Sequence, residues 1–404
     1  MSLCRKSELS DCVLLASMYD VIILGAGASG LMAAINAAGR GRSVLVIDHA
    51  KKAGRKILVS GGGKCNITNM KISANDYFGT DNTFCRYALR RFTTDSILDI
   101  LDKADINTEE RGFGRVFCKR GADEIVSFLV ETAKNSGVCF AFETTILDVS
   151  FSKHFCVKHE SGQYESSNLL IAIGGLAWPQ IGATNLGYVI AKQFGHKVHP
   201  LKPALTGFIL ASDSPLMNLQ GISLDVQLQI KGKNAVIEEP LLFTHKGISG
   251  PVALQVSCFW EKGDAIAINF LPSDDIIVHM HEPKNGRLLV GKLIARFLPE
   301  RLVAAIIPEN LSERKVAELS KKDRNTISDR VHSYLIVPDS VEGFSKAEAT
   351  LGGVSTSEIN PKSMESLLQK GLFFSGEVMD ITGKLGGYNI HWAFASGFVA
   401  GQNI

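Results

Sequence analysis

Residues 54–69, GRKILVSGGGKCNITN, bring Arg55, Lys56, Gly61, Gly62, Gly63, Lys64, Cys65, Asn66 and Asn69 into one short stretch. Three consecutive glycines weaken any strand or helix, so such a run marks a loop that passes very close to something flat or charged. Arg55 and Lys56 carry charge suited to phosphates, and Lys64, Cys65, Asn66 and Asn69 offer donors at the edge of such a ligand. Cys65 has two readings: a thiol that donates a proton, or a small buried cysteine that packs beside the ligand. Three further proton-donor candidates lie elsewhere. His245 stands in FTHKGISGP, and Tyr388 and His391 stand in GGYNIHW.

The ligand is indicated by the segment just upstream, YDVIILGAGASGLMAAINAAGRGRSVLVIDHA. It reads as an apolar strand at Val21–Leu24, a glycine turn, an alanine-rich helix to about Ala38 and a second strand at Val44–Ile47 ending in Asp48. Gly25, Gly27 and Gly30 form GxGxxG in the strand–turn–helix setting that a dinucleotide site requires. Gly25 makes the tight turn, Gly27 admits the pyrophosphate to the backbone and Gly30 lets helix and strand pack closely, while the helix N-terminus at Ala28 and Ser29 faces the phosphates. Asp48 is placed to accept from ribose hydroxyls and disfavours a 2′-phosphate, so the tightly held ligand is FAD or NAD rather than NADP. Gly61–Gly63 would then lie against the flavin ring or pyrophosphate. Gly174 in the strand-end motif AIGG and Gly376 in the C-terminal motif complete the glycine positions expected to meet the cofactor.

Composition narrows the class. The chain has 404 residues, 45% hydrophobic and 21% charged, with a formal net charge of +2, so it buries a sizeable core and offers no general electrostatic argument for nucleic acid or anionic membrane. Its eight cysteines form no CxxC pair and no metal-ligand spacing, which points to a reducing cytoplasm and to no metal centre. Residues 1–17 read as an N-terminal extension, too short and too charged for a signal peptide or a membrane span.

The remaining organisation is expected as follows. The FAD-binding domain occupies 18–199, mostly helical after the glycine-rich loop to about residue 136, then a β-meander. A β-rich insert covers 200–283, a helical insert 284–340 and a return strand 341–355. Residues 356–404 rejoin the FAD-binding domain through a strand, a glycine loop and a helix from about Ile390 capped by Asn389. No second GxGxxG accompanies a second βαβ unit, so a nicotinamide reductant would bind transiently, or the reductant would be another donor. Arg90, Arg91, Arg111, Arg115, Lys119 and Arg120 lie near aromatics in RRFTTD and RGFGRVFCKRG, which reads as an RNA-facing patch, as a solvated face, or as a contact to the cofactor or another anionic ligand.

GRKILVSGGGKCNITN, FTHKGISGP, TLGGVSTSEINPKSM (350–364) and GEVMDITGKLGGYNIHWAFASG (376–397) together resemble the BaiN/RdsA family, formerly YhiN-like, of NAD(P)H/FAD-dependent oxidoreductases. The resemblance implies an α/β fold, a glutathione-reductase-like FAD-binding Rossmann domain built from both chain ends, with an inserted β-barrel domain and a small helical insert. It implies reduction of carbon–carbon double bonds, linked to bile-acid enones in one branch and to uridine of ribosomal RNA in another. Ala28, Asp48, Arg55, Lys56, Asp380, Asn389 and Ile390 match positions that line FAD, and Ile146 matches a backbone contact to adenine. The chain departs from the family at Asp48, where many relatives carry Glu, at AIGG in place of ATGG, and at His391 and Trp178 in place of Gln and Tyr. The expected activity is an FAD-dependent reductase using NAD(P)H on an enone-like or uracil-like acceptor. The alternative is a flavin-containing RNA-binding protein with little turnover.

Overall fold

The computed structural model describes residues 18–404, so the extension expected at 1–17 lies outside the described residues. The chain forms two compact units: one runs to Lys202 and resumes at Ala349–Ile404, and the other is Pro203–Glu348.

In the first unit, β1 (Tyr19–Leu24) is an almost wholly buried apolar run, the pattern of a parallel strand covered on both faces. It leads through the glycine turn into α1 (Ala28–Ala38) and on to β2 (Val44–Ile47), the expected βαβ unit. After α2 (Arg55–Val59) come β3 (Asn66–Asn69), β4 (Thr108–Arg111) and β5 (Arg115–Cys118), then α3 (Ala122–Asn135), β6 (Cys139–Ala141) and the meander β7 (Ile146–Phe151), β8 (Phe155–His159) and β9 (Gly162–Ile171). The chain returns as β10 (Leu372–Phe374) and closes with α4 (Tyr388–Asn403).

The main sheet has the order β6-β2-β1-β9-β8-β7, with β10 also beside β9. Strands β6, β2, β1, β9 and β10 run parallel, and the meander is antiparallel. Strands β1 and β9 are neighbours, so their carboxyl ends at Leu24 and Ile171 open side by side, which is where ligands bind in open α/β sheets. Helix α4 lies against α1 backbone to backbone. A Cβ at Gly397 would sit 2.3 Å from the Ser29 carbonyl oxygen, and one at Gly401 would sit 2.5 Å from that of Ala33. The two chain ends are therefore one layer of one core.

Three expectations need correction. The return strand expected at 341–355 divides between the units: Ser340–Val341 belongs to the second, whereas the strand Ala349–Val354 lies in the first. The stretch to residue 136 is not mostly helical, because β3, β5 and β4 form a separate three-stranded antiparallel sheet within it. Each of these strands has four residues, too few for period-2 alternation to stand out. Helix α4 begins at Tyr388 with Gly387 as its N-cap, whereas Asn389 lies inside the first turn.

The second unit has its own core. Its sheet has seven strands in the order Tyr334–Ile336, Ile266–Asn269, Ser223–Ile230, Val236–Thr244, Gly247–Ser249, Phe208–Ile209, Ser340–Val341. Three residues, 337–339, join the two end strands. That link spans at most about 14 Å, whereas seven strands laid flat would place their ends about 29 Å apart. The sheet therefore curls towards a barrel. Helices Ile276–His281, Val290–Ile294, Glu300–Ile306 and Lys321–His332 fall between its last strands, the longest of them opened by a capping box from Ser320 and Asp323. Among the described residues, no helix is long and apolar enough to cross a membrane.

Candidate active site

The fingerprint glycines divide by surroundings. A Cβ at Gly25 (φ +107°) would sit 2.5 Å from the Ala172 carbonyl oxygen, and one at Gly30 would sit 1.9 Å from that of Gly25. A Cβ at Gly27 would meet nothing within 4 Å. Gly174, in the loop leaving β9, has φ +84° and faces open space in the same way. Two loops from adjacent strands thus leave open space, free of side chains at these two positions, beside the N-terminus of α1, whose polarity suits an anionic dinucleotide. Ala28 opens α1, and Ser29 behind it is buried, with a Cβ at Gly376 (φ +77°) reaching within 2.7 Å of its Oγ.

Asp48 does more than sequence reasoning assigned to it. Its Oδ2 accepts from the Ala26 N–H at 2.7 Å and its Oδ1 from the Ala50 N–H at 2.8 Å, so the carboxylate ties β2 to the glycine turn. A carboxylate has about four acceptor positions, which leaves capacity for hydroxyl donors. Ile146 begins β7 opposite His159, at the outer end of the meander. Lys56 is ion-paired with Glu377 at 2.5 Å, and Glu377 also accepts from the Thr350 N–H at 2.8 Å. The Arg55 guanidinium and the His49 ring close on Gly182, each within 3 Å of where its Cβ would be.

Gly61, Gly62 and Gly63 have φ of 57°, 66° and 85°, and all three are exposed. A Cβ at Gly61 would sit 2.9 Å from the Phe117 ring, whereas one at Gly62 would meet nothing. The loop ends in Cys65, itself at φ 49°, whose N–H donates to the Ser60 carbonyl at 3.0 Å. The Cys65 side chain is fully buried. Burial pushes its thiol up to about 12, against the opposing hydrogen bond from the Ser60 side chain, so it stays protonated and enclosed. That environment suits the packing reading of the two.

The C-terminal residues are held by one another and by residues 77–80. The Asp380 Oδ2 accepts from the Thr80 N–H at 2.9 Å and the Thr80 hydroxyl at 2.7 Å. The Asn389 amide pairs with both backbone groups of Gly383, at 2.8 and 3.0 Å. Tyr388 meets Tyr77 edge-on at 6.1 Å, and the Tyr77 hydroxyl donates to the Tyr388 carbonyl at 3.0 Å. Ile390 is half-buried beside them.

His391 is fully buried, with Nδ1 2.8 Å from the Thr68 hydroxyl and Nε2 3.1 Å from the Phe92 carbonyl. The carbonyl requires a proton on Nε2, so Nδ1 accepts from Thr68 and the ring is neutral. Burial lowers its pKa to about 4, opposed by the Phe92 carbonyl. Nδ1 thus ties α4 to β3 and Nε2 ties it to the end of the Arg86–Arg91 helix, so both nitrogens are engaged within the fold. A glutamine, expected here in the family, has one donor and one acceptor for the same two partners. His245 belongs to the second unit, exposed in the turn between Val236–Thr244 and Gly247–Ser249.

Sequence reasoning missed the hairpin β4–β5, whose apex Gly112-Phe113-Gly114 was read only as part of a basic stretch. Glycines on both sides of one residue, followed by the β-prone run Val116-Phe117-Cys118, were the available signal. Arg111 is paired with Glu109 and lies 4.7 Å over the Phe117 ring, Arg115 lies 5.2 Å from the Phe113 ring, and Arg120 pairs with Glu124 at 2.8 Å. Arg90 and Arg91 end the Arg86–Arg91 helix, exposed.

Comparison with known proteins agrees with this architecture. The family described as HI0933-like protein Rossmann domain matches residues 19–403. The chain is 36% identical to a ribosomal RNA dihydrouridine synthase of Escherichia coli over 96% of this chain and 98% of that one. It is 37% identical to a protein of the same name from Haemophilus influenzae, over 95% and 98%. It is 26% identical to a 3-dehydro-bile acid delta(4,6)-reductase of Clostridium scindens, again over 95% and 98%. With the family matched from the first strand to the last helix, the chain belongs to the HI0933-like family, and its first unit is the Rossmann-like FAD-binding domain of an FAD-dependent oxidoreductase.

Proposed function

We propose that the protein reduces the carbon–carbon double bond of a uracil base in RNA, with a nicotinamide as the transient reductant. One observation carries the choice of acceptor: the relatives named for dihydrouridine synthesis in ribosomal RNA are 36% and 37% identical to this chain end to end, against 26% for the bile-acid enzyme. When bound, FAD would supply the two-electron chemistry for moving a hydride equivalent from a nicotinamide to the electron-poor double bond.

The residues present fit that cofactor. Gly27 and Gly174 put no side chain into the space beside the α1 N-terminus, and Gly25 and Gly30 hold the turn shut behind it. In this reading Ala28 and Ser29 direct N–H groups at the pyrophosphate, Asp48 takes the ribose hydroxyls and Ile146 borders the adenine. Arg55 and Lys56 balance phosphate charge, with Lys56 orientated by Glu377. Gly61, Gly62 and Gly63 flank the ring, while Gly376, Asp380, Asn389 and Ile390 close the site from the C-terminal side. Tyr388, in the first turn of α4, and Cys65 are both buried and remain the proton donors to test, since His391 has both nitrogens engaged.

The test is nucleoside mass spectrometry of ribosomal RNA, from cells lacking this protein, after incubation with the FAD-loaded protein and NADPH or NADH. Dihydrouridine at a discrete position supports the reading. Unchanged uridine, with a steroid enone reduced in parallel, transfers the protein to the enone branch.

A further inference from the structure

The β4–β5 hairpin has a feature that folding does not explain. Phe113 sits at its apex at φ 67° and ψ 22°, in the left-handed region that disfavours a side chain, and it is 56% exposed. An exposed ring recovers little from burial, and glycine or asparagine would adopt this turn at lower conformational cost. The surroundings hold it nonetheless. The Met70 N–H donates to the Gly114 carbonyl at 2.8 Å. The Asn69 amide donates both to the Phe113 carbonyl at 3.1 Å and to the Gly386 carbonyl at 3.0 Å. A Cβ at Gly114 would come within 2.8 Å of the Asn69 Oδ1, which fixes the apex against β3.

The same contacts set where the ring stands. Asn69 joins the apex to the Gly386–Gly387 turn that starts α4, and the base of the hairpin abuts the triple-glycine loop through Phe117. Around the ring, Arg115 lies 5.2 Å from its centroid. Towards the base of the hairpin, where the Lys119 N–H donates to the Asn107 carbonyl and the Lys64 carbonyl accepts from the Cys118 N–H, the Glu109 carboxyl is held below its usual range first by its hydrogen bond to Arg111 and further by the charges of Arg111, Lys64 and Lys119. Glu109 and Glu110 are the acids of the hairpin, and Glu109 is already neutralised by Arg111.

We infer that Phe113 is a stacking platform for an unpaired base of single-stranded RNA, with Arg111, Arg115, Lys64 and Lys119 drawing in the adjoining phosphates. A rigid exposed aromatic beside an arginine plane, with further cations along the same hairpin, is the combination that holds single-stranded nucleic acid without reading its sequence. Placed beside the loops assigned to the cofactor, it would hold a neighbour of the uracil being reduced. This rests on the RNA reading of the acceptor given above.

The test compares FAD-loaded wild-type protein with Phe113→Gly, which relieves the backbone, and Phe113→Tyr, which keeps a ring, by fluorescence anisotropy with labelled oligouridylate across a salt series. FAD content and the thermal midpoint are measured for each. Phe113→Gly is expected to weaken binding about 5- to 150-fold. The slope of log affinity against log salt should not change, because the ring displaces no counterions. Phe113→Tyr should bind like wild type. Equal binding by Phe113→Gly and wild type, or no binding by wild type, overturns the platform. Dihydrouridine formed equally by wild type and Phe113→Gly would also overturn it while leaving the reductase reading intact. Ring-dependent binding with no dihydrouridine from wild type would do the reverse.

Discussion

The two glycine-rich loops of the FAD-binding unit are built on opposite principles. In the Gly25–Gly30 loop, two glycines are needed because neighbouring carbonyls occupy the space of a Cβ, and the middle one alone opens outward. In the Gly61–Gly63 loop all three residues are exposed and left-handed, and only Gly61 is confined. The first loop is a packed joint that carries a ligand surface as a by-product of its tightness. The second is held by backbone handedness, and its neighbour Cys65 accepts the same strained region without being a glycine. Similar composition therefore conceals different sensitivities to mutation.

The largest predicted contrast lies within the first loop. Gly30→Ala puts a methyl group into the Gly25 carbonyl and should lower unfolding stability by about 3 kcal/mol, read from urea midpoints. Gly27→Ala should leave that midpoint nearly unchanged yet strip FAD on dialysis. Equal effects on stability from the two would erase the distinction between joint and surface.

The clamp between α4 and β3 gives a pH signature of similar size. His391 titrates near 4 when folded, against an ordinary value of 6.5. Below pH 6.5 the unfolded chain takes up the proton that the folded one refuses. The contribution is therefore fully present above pH 6.5, is lost as pH falls towards 4 and amounts to about 3 kcal/mol. His391→Gln should keep both hydrogen bonds and flatten this part of the stability–pH curve. A curve unchanged in shape would mean that another group governs acid unfolding.

Asp48→Ala should act on ligand and fold together. FAD retention is expected to fall by about 1.5–3 kcal/mol, and unfolding stability by about 1–3 kcal/mol because the N–H groups of Ala26 and Ala50 lose their acceptor. FAD loss with unchanged stability would show that the two backbone hydrogen bonds are dispensable.

The smallest effect is assigned to Cys65. Cys65→Ala should slow flavin reduction and flavin reoxidation alike, each by less than about tenfold, since the thiol is enclosed beside Ser60. A general acid would give a selective loss of about 10²–10⁴ in reoxidation. That pattern would restore the catalytic reading.

What was legible in the sequence follows the same division. The βαβ joint could be read because its requirements are local: an apolar strand, fixed glycine spacing, a helix and an acid at the next strand end all lie between Tyr19 and Asp48. The clamps could not. His391 meets Thr68 and Phe92 across about three hundred residues, so sequence spacing cannot show that both ring nitrogens are engaged. Asn389 looked like a helix cap, yet its side chain is taken by Gly383, and Gly387 does the capping. The hairpin stayed hidden because its four-residue strands carry more charge than alternation.

The central claim is that reduced flavin on this protein is reoxidised by uracil in RNA. Its most direct test is anaerobic stopped-flow on the purified FAD-loaded protein, reduced with NADPH or NADH and then mixed with uridine-containing ribosomal RNA lacking the modification. The account predicts return of the oxidised-flavin absorbance with a matching yield of dihydrouridine. Flavin that stays reduced in the presence of that RNA would contradict it.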